Sequence, residues 1–474
     1  MKGNSREKML IETTPILESI ARLALPTIMG QIILVIYNKA DTFFVGLTNS
    51  DEMVTAVTIC MPAFMFLSAV SNLFGVGGSS VISRSLGQRN HRRASGAAAF
   101  SFWGCFVVAI LYSLGAFVFG DAFINVLGGK YNPNVHRMSV NYLMITVVGG
   151  GIFTAMSTFL AHLIRSEGRS VHASIGIALG GILNIGLDPL FMFVILPKGH
   201  AVEGAAIATA LSNTIALIYF VLVLRRNRRE SVLRFKPSNE IFTENIPTDV
   251  LSTGLPACLM TLFENISYAI LDNLMAANGA ALAAGIGVAM QAGIGVAKKV
   301  NMLAHCIVRG MSQGVLPLIG YNYASGNHKR MKQAIVYSML ISVSLATLCM
   351  IANLTLSKQL ISIFLHDSPD SIGYGARFLR ILTIGAPFSA CAYAFISFFQ
   401  AVGNGFKSFI LAILRKGVLD IPLMFLLNAL FPIYGIVWAT PIADTVCCIV
   451  SIVLFIGFLQ KQTNLSQELA AELD

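Results

Sequence analysis

The sequence predicts an all-α integral membrane protein: twelve transmembrane helices arranged as two parallel six-helix repeats. Three observations carry this reading. The 474 residues are 55% hydrophobic and only 12% charged, with a mean hydropathy of +0.72; a soluble chain would carry about twice that charge. Apolar runs long enough to cross a bilayer recur along the chain. Segments of the first half also reappear in order in the second.

Twelve spans are marked in order at 16–46, 55–83, 94–119, 139–163, 171–196 and 202–224, then 251–277, 288–320, 334–356, 375–399, 406–429 and 433–459. Residues 1–15 lack an apolar core and a cleavage site, so they read as a short cytoplasmic segment, not a removable signal. The net charge of +10 is distributed by side. With the N-terminus inside, the inner segments, counting Lys407 in the adjoining first turn, hold 20 Lys/Arg; the outer side holds Lys130, Arg137, Lys198, Lys358 and Arg377. This asymmetry predicts a multi-pass protein of the plasma (inner) membrane with both termini cytoplasmic. The basic run RRNRRESVLRFK (225–236) therefore reads as a topology-fixing loop and not a nucleic-acid patch. The tail 460–474 reads as cytoplasmic, either a short helix or disordered. The eight cysteines have no metal-ligand or disulfide spacing, and no cofactor motif is visible.

The duplication is explicit. EGAAIATALSNT (203–214) matches YGIVWATPIADT (434–445), LGQRNHRRAS (86–95) matches ASGNHKRMKQ (324–333), and Pro26 matches Pro256. The interval between mates is nearly constant and is slightly longer only for the second match. Each half has an even number of spans, so both enter from the same side. The predicted domains are 16–224 and 251–459, joined by the basic linker 225–250. Parallel repeats that rock about an axis along the membrane normal favour a carrier, and no filter-like ring suggests a channel. The glycine repeat GIGVAMQAGIGVA lacks a βαβ context and reads as helix packing, not a nucleotide fingerprint.

Ionisable side chains inside spans are costly and mark function by default. Asp188 has no basic residue three or four positions away, and Asn184 lies one turn before it. At about 1.5 Å per residue, Asp188 sits roughly 12 Å below the outer end of its span, a depth that Thr209 matches on the next span. Asp41 is shallower, with Tyr37 one turn away. A carboxylate kept from water holds a proton more readily, and carboxylate, amide and hydroxyl oxygens also suit a small cation, so Asp41 and Asp188 are coupling-ion candidates. Pro26 interrupts the hydrogen-bond ladder of the first span and reads as a hinge or a static bend. Glu264, near the midplane of span seven, reads as a second proton site or a contact for cationic substrate, with Lys298 and Lys299 as its neutralising neighbours. Asp420 reads as a local pair with Lys416, Asp272 as near the outer surface, and Asp444 as a minor candidate. Lys39 reads as snorkelling outward.

At these residues the chain resembles the multidrug and toxic compound extrusion (MATE) family, over about residues 16–460. The resemblance rests on LALPTIMGQIILVIYNKADTFFVG, GGSSVISRSLGQRN, LIRSEG, NIGLDPL, GAAIAT and QGVLPLIGYNYASGN taken together. It implies a V-shaped pair of six-helix lobes and antiport of organic, mostly cationic and lipophilic compounds against H+ or Na+. The lipid bilayer and small organic substrates are then the partners, for a monomer that binds no nucleic acid and is not an enzyme. In the DinF-type branch the amino-lobe cation site matches Asp41, Pro26, Asn184, Asp188 and Thr209, with Tyr37 beside them. Glu264 resembles the helix-seven glutamate of the NorM-type branch, but span ten has no carboxylate to complete that pattern. The related alternative is a lipid-linked precursor flippase or polysaccharide exporter, which would need a strongly cationic cavity; the distant alternative is an integral-membrane enzyme, for which the scattered histidines, His305 included, offer no paired ligand.

Overall fold

The computed structural model describes residues 3–48, 50–127, 132–197, 199–236, 239–280, 284–365 and 369–471; the side chains of 3–6, 38, 39, 41, 42, 239, 240, 280, 284, 285 and 463–471 fall outside that description. The first half runs α1 (Gly3–Glu12), α2 (Ile16–Gly46), α3 (Asp51–Gly87), α4 (His91–Val126), α5 (Pro133–Leu143), α6 (Gly151–Ser166), α7 (Ser170–Pro189) and α8 (Ala201–Arg226). The second runs α9 (Ile246–Ala280), α10 (Ala284–Ala324), α11 (His328–Thr355), α12 (Ser357–Ser362), α13 (Pro369–Ile384), α14 (Ala386–Ala401), α15 (Gly405–Ile413), α16 (Ile421–Leu430) and α17 (Tyr434–Ala471).

Nine helices among the described residues are long and apolar enough to cross a membrane. Two further spans are broken and bent: Pro133–Gly149 with Gly151–Ser166 by 49°, and Pro369–Ile384 with Ala386–Ala401 by 41°. Both breaks fall where the ladder is weakened, at the Gly149–Gly151 triplet and between Gly385 and Pro387. The predicted span 406–429 is three contiguous pieces, α15, a π-helical segment Leu414–Asp420, and α16. The middle piece carries Arg415, Lys416 and Asp420, so no long uncharged helix exists there. A second π segment, Leu190–Ile195, follows Pro189, whose missing N–H leaves the Ile185 carbonyl without its usual partner and lets the ladder widen. Residues 463–471 continue α17 as helix.

The chain divides into two compact units. One comprises Met1–Asn265, Arg309–Ile335 and Gln400–Gly405; the other comprises Ile266–Val308, Val336–Phe399 and Phe406–Asp474. In the first, α3 packs on α4 and α6, α7 lies between α2 and α8, and Leu67, Phe159, Leu160 and Ile164 are buried in the core. In the second, α13, α16 and α17 surround Phe378, Leu379, Met424 and Ile436.

The repeat is visible in local chemistry. Asn90 Oδ1 caps α4 by accepting from the Arg93 N–H at 2.9 Å, and Asn327 Oδ1 accepts from the Arg330 N–H at 3.1 Å at the start of α11. The residue before each cap is left-handed: Gly326 at φ +77, which glycine adopts freely, and Arg89 at φ +58. Backbones also cross closely within the first unit. A Cβ placed on Gly254 would collide with the Leu73 backbone, and one on Gly77 with the Val250 carbonyl. Gly314 approaches Ala24 in the same way, and Gly310 approaches Ile28. Gly77 and Gly314 occupy matching positions of the two repeats, as do Ala24 and Gly254, so the α3–α9 crossing has its repeat mate in α2–α10.

Candidate functional site

Asn184 and Asp188 project from α7 one turn apart, and Thr209 faces them from α8. The Asn184 amide Nδ2 donates to Asp188 Oδ1 at 3.1 Å and to Thr209 Oγ1 at 3.3 Å. All three are buried, Asp188 completely. Asn184 Oδ1 is buried and accepts no hydrogen bond from the described residues, which leaves an acceptor next to a carboxylate and a hydroxyl. The Thr209 carbonyl accepts from Asn213 Nδ2 at 3.0 Å, which fixes the α8 backbone behind the cluster.

Small residues make this convergence feasible. Gly181 lies under α2, and a Cβ there would meet Tyr37 Cδ1 and Ile33 Cγ2 at 3.1 Å; Gly180 lies 3.3 Å, measured the same way, from the Ala216 methyl on α8. The α7 helix can therefore sit against both neighbours and bring Tyr37 beside the Asn184 turn. Asp41 lies on the same helix as Tyr37, but its side chain, like that of Lys39, falls outside the described residues. Pro26 lies inside α2, which stays one helix from Ile16 to Gly46. Thr27 Oγ1 donates to the Leu23 carbonyl at 2.9 Å, beside the ladder position that proline leaves open.

The second-half carboxylates are held differently. Glu264 pairs with Arg309, where the sequence named Lys298 and Lys299 as its neighbours. Lys298 instead pairs with Asp272, whose side chain is largely exposed. Arg309 is many helical turns from Glu264 along the chain, and only the packing of α9 on α10 brings the two together, so helical spacing gave no signal for it. Asp420 does pair with Lys416, at 2.7 Å, and also accepts from Ser267 Oγ at 2.6 Å and Thr440 Oγ1 at 2.8 Å. Asp444, a minor candidate from sequence, is bound by Arg415 Nε at 2.7 Å; the same guanidinium donates to Ser389 Oγ at 2.9 Å and lies 4.3 Å from the Tyr393 ring centroid. Each of these acids meets a lysine or arginine, and Asp188 accepts from the Asn184 amide.

The sequence profile of the MatE family matches residues 26–190 and 256–426, one stretch in each repeat. The chain is 27% identical over 448 residues to the multidrug export protein MepA of Staphylococcus aureus (strain MRSA252), covering 94% of each, and 27% identical over 444 residues to MepA of Staphylococcus saprophyticus, again 94% of each. Its fold matches a crystal structure of a MATE protein in the straight conformation with a TM-score of 0.84 at 24% identity, over 97% of this chain and 99% of that one. With the profile covering well over half of the residues in two repeat-related stretches, the chain is a multi-pass membrane protein and belongs to the MatE family.

Proposed function

We propose that this protein exports small lipophilic organic compounds, mostly cations, by antiport against H+ or Na+. Export of multiple drugs is supported by the names of relatives that align along nearly the whole chain. The coupling reading is carried by one observation: a fully buried carboxylate joined through an amide to a hydroxyl, with an open amide oxygen at its side. Asp41, Asn184, Asp188 and Thr209 form the coupling set in this reading, with Tyr37 packed beside it. A proton on Asp188, or a Na+ among these oxygens, changes which groups the Asn184 amide must satisfy. Because Gly181 seats α2 directly on α7, that change reaches α2, and Pro26 is where α2 has the least ladder to resist bending. Glu264 joins as a proton or substrate site only after its Arg309 pair opens.

In this reading the repeats 16–224 and 251–459 move as two lobes about the linker 225–250, with both termini in the cytoplasm and one chain as the working unit. The experiment is dye efflux, ethidium for example, in vesicles with an imposed ion gradient. Asp188→Asn and Asp41→Asn are expected to lose most of their gradient-driven efflux. Efflux that survives unchanged in both removes the coupling role. Dye-induced proton flux measured with and without sodium separates the two ions.

A further inference from the structure

The second repeat contains its own version of the candidate site. At the interval that relates the repeats, Tyr37 and Asp41 recur as Tyr268 and Asp272, Asp188 recurs as Asp420, and Thr209 recurs as Thr440. These four positions keep their residue type. The fifth does not: Asn184 is matched, in the same register as Asp188, by Lys416. The Asn-x-x-x-Asp of α7 has become Lys-x-x-x-Asp in the π segment Leu414–Asp420.

The geometry follows the substitution. Asp420 is fully buried and takes three bonds: Lys416 Nζ at 2.7 Å and Ser267 Oγ at 2.6 Å on one oxygen, Thr440 Oγ1 at 2.8 Å on the other. Lys416 is itself 2% exposed. The other acid of the copy, Asp272, pairs with Lys298, and the Tyr268 ring centroid lies 5.5 Å from Lys298 Nζ and 5.8 Å from Lys416 Nζ. Where the first repeat has an amide, the second has supplied a positive charge, and a lysine meets each of the copy's two acids. An ammonium group is a compact monovalent cation on a flexible stem.

We infer that Asp420, Ser267 and Thr440 form a monovalent-cation site whose cation is the Lys416 ammonium, tethered by its own chain. The site is complete and permanently filled, so the second repeat cannot exchange an ion there. Taken with the coupling role proposed for Asp188, on which this last step rests, the chain has one exchangeable cluster rather than two.

The test uses the full-length protein in detergent or vesicles. In Lys416→Ala, n-propylammonium supplies the missing carbons and the ammonium, and propan-1-ol supplies the same shape without charge. Lys416→Ala is expected to lower the melting midpoint, and n-propylammonium to restore at least half of the loss in a saturable way, as a ligand that binds only the folded form does. Propan-1-ol should restore none, and Lys416→Ala/Asp420→Asn should ignore both. Equal rescue by the alcohol, or no rescue by the amine, overturns the inference. If Lys416→Ala fails to accumulate, Lys416→Asn, which copies the first repeat, is tested in an Asp188→Asn background. Stabilisation by Na+ or Li+ that is lost on adding Asp420→Asn supports the site; no response overturns it. None of these readouts uses efflux, so a failed coupling role for Asp188 leaves them standing.

Discussion

Replacing Gly254 by alanine tests the α3–α9 crossing at its tightest point. The added methyl would lie 2.8 Å from the Leu73 carbonyl carbon, and nearer still to its oxygen. Cβ atoms essentially never approach other heavy atoms within 3.0 Å. Both sides are backbone in the middle of long helices, so no side chain can swing away and the helices themselves must part. Overpacking of this kind costs about 1–3 kcal/mol. Gly115→Ala is the matched control: it is also helical, but nothing lies within 4 Å of its added Cβ. There alanine should gain up to ~1 kcal/mol from helix propensity. That propensity gain applies at both helical positions and cancels, so the two substitutions should differ by the overpacking cost alone, about 1–3 kcal/mol, or roughly 1–3 °C in apparent melting midpoint for a chain of this size. Fluorescence-detected size exclusion after heating in detergent reads that gap. Equal midpoints for the two variants would refute the close crossing.

Thr209→Val keeps the side-chain shape but removes one acceptor of the Asn184 amide; it should cost about 1–2 kcal/mol and reduce gradient-driven dye efflux several-fold while the protein still elutes as a folded peak. Arg415→Met strands the buried Asp444 and should lose about 3–5 kcal/mol, whereas Arg415→Met/Asp444→Asn should recover most of it; a double variant no better than the single would contradict the pairing. Glu167, just beyond α6, is pushed above the usual carboxylate range, mainly by burial, against the lowering effects of Arg169, the Ser231 hydroxyl and the Val232 N–H. A carboxyl with a raised folded-state pKa binds its proton more tightly when folded, so stability is greatest below the usual carboxylate range and falls as pH rises through the raised value. Glu167→Gln should flatten that decline in a melting series across pH.

The repeat register was legible in the sequence down to single residues. Asn90 and Asn327 align in the string and both cap helices, because an N-cap needs only a local side-chain oxygen. The Asn184–Asp188 contact was legible for a similar reason: helical spacing places i and i+4 side chains on one face. Thr209 was reached through depth, by counting rise per residue along neighbouring spans. The Glu264–Arg309 and Arg415–Asp444 pairs were not legible. Their partners come from different helices, far apart along the chain, and periodicity along one helix carries no information about the rotation of its neighbour. Span 406–429 was marked as one apolar helix. Lys416 and Asp420 pair with each other within the segment, and Arg415 is paired by the buried Asp444 of another helix, which a hydropathy reading does not see.

What the sequence alone determined was membrane insertion, the duplication and the identity of the acids inside spans, since these depend on composition, period and offset along a single chain. What the tertiary structure decided was which groups those acids meet. Asp420, Asp444 and Glu264 each meet a lysine or arginine, and Asp188 meets an amide that also holds Thr209. The difference arises because, in a medium of low dielectric, the role of a buried carboxylate is set by the few groups within hydrogen-bond reach. Apart from its own helical turn, packing chooses those groups.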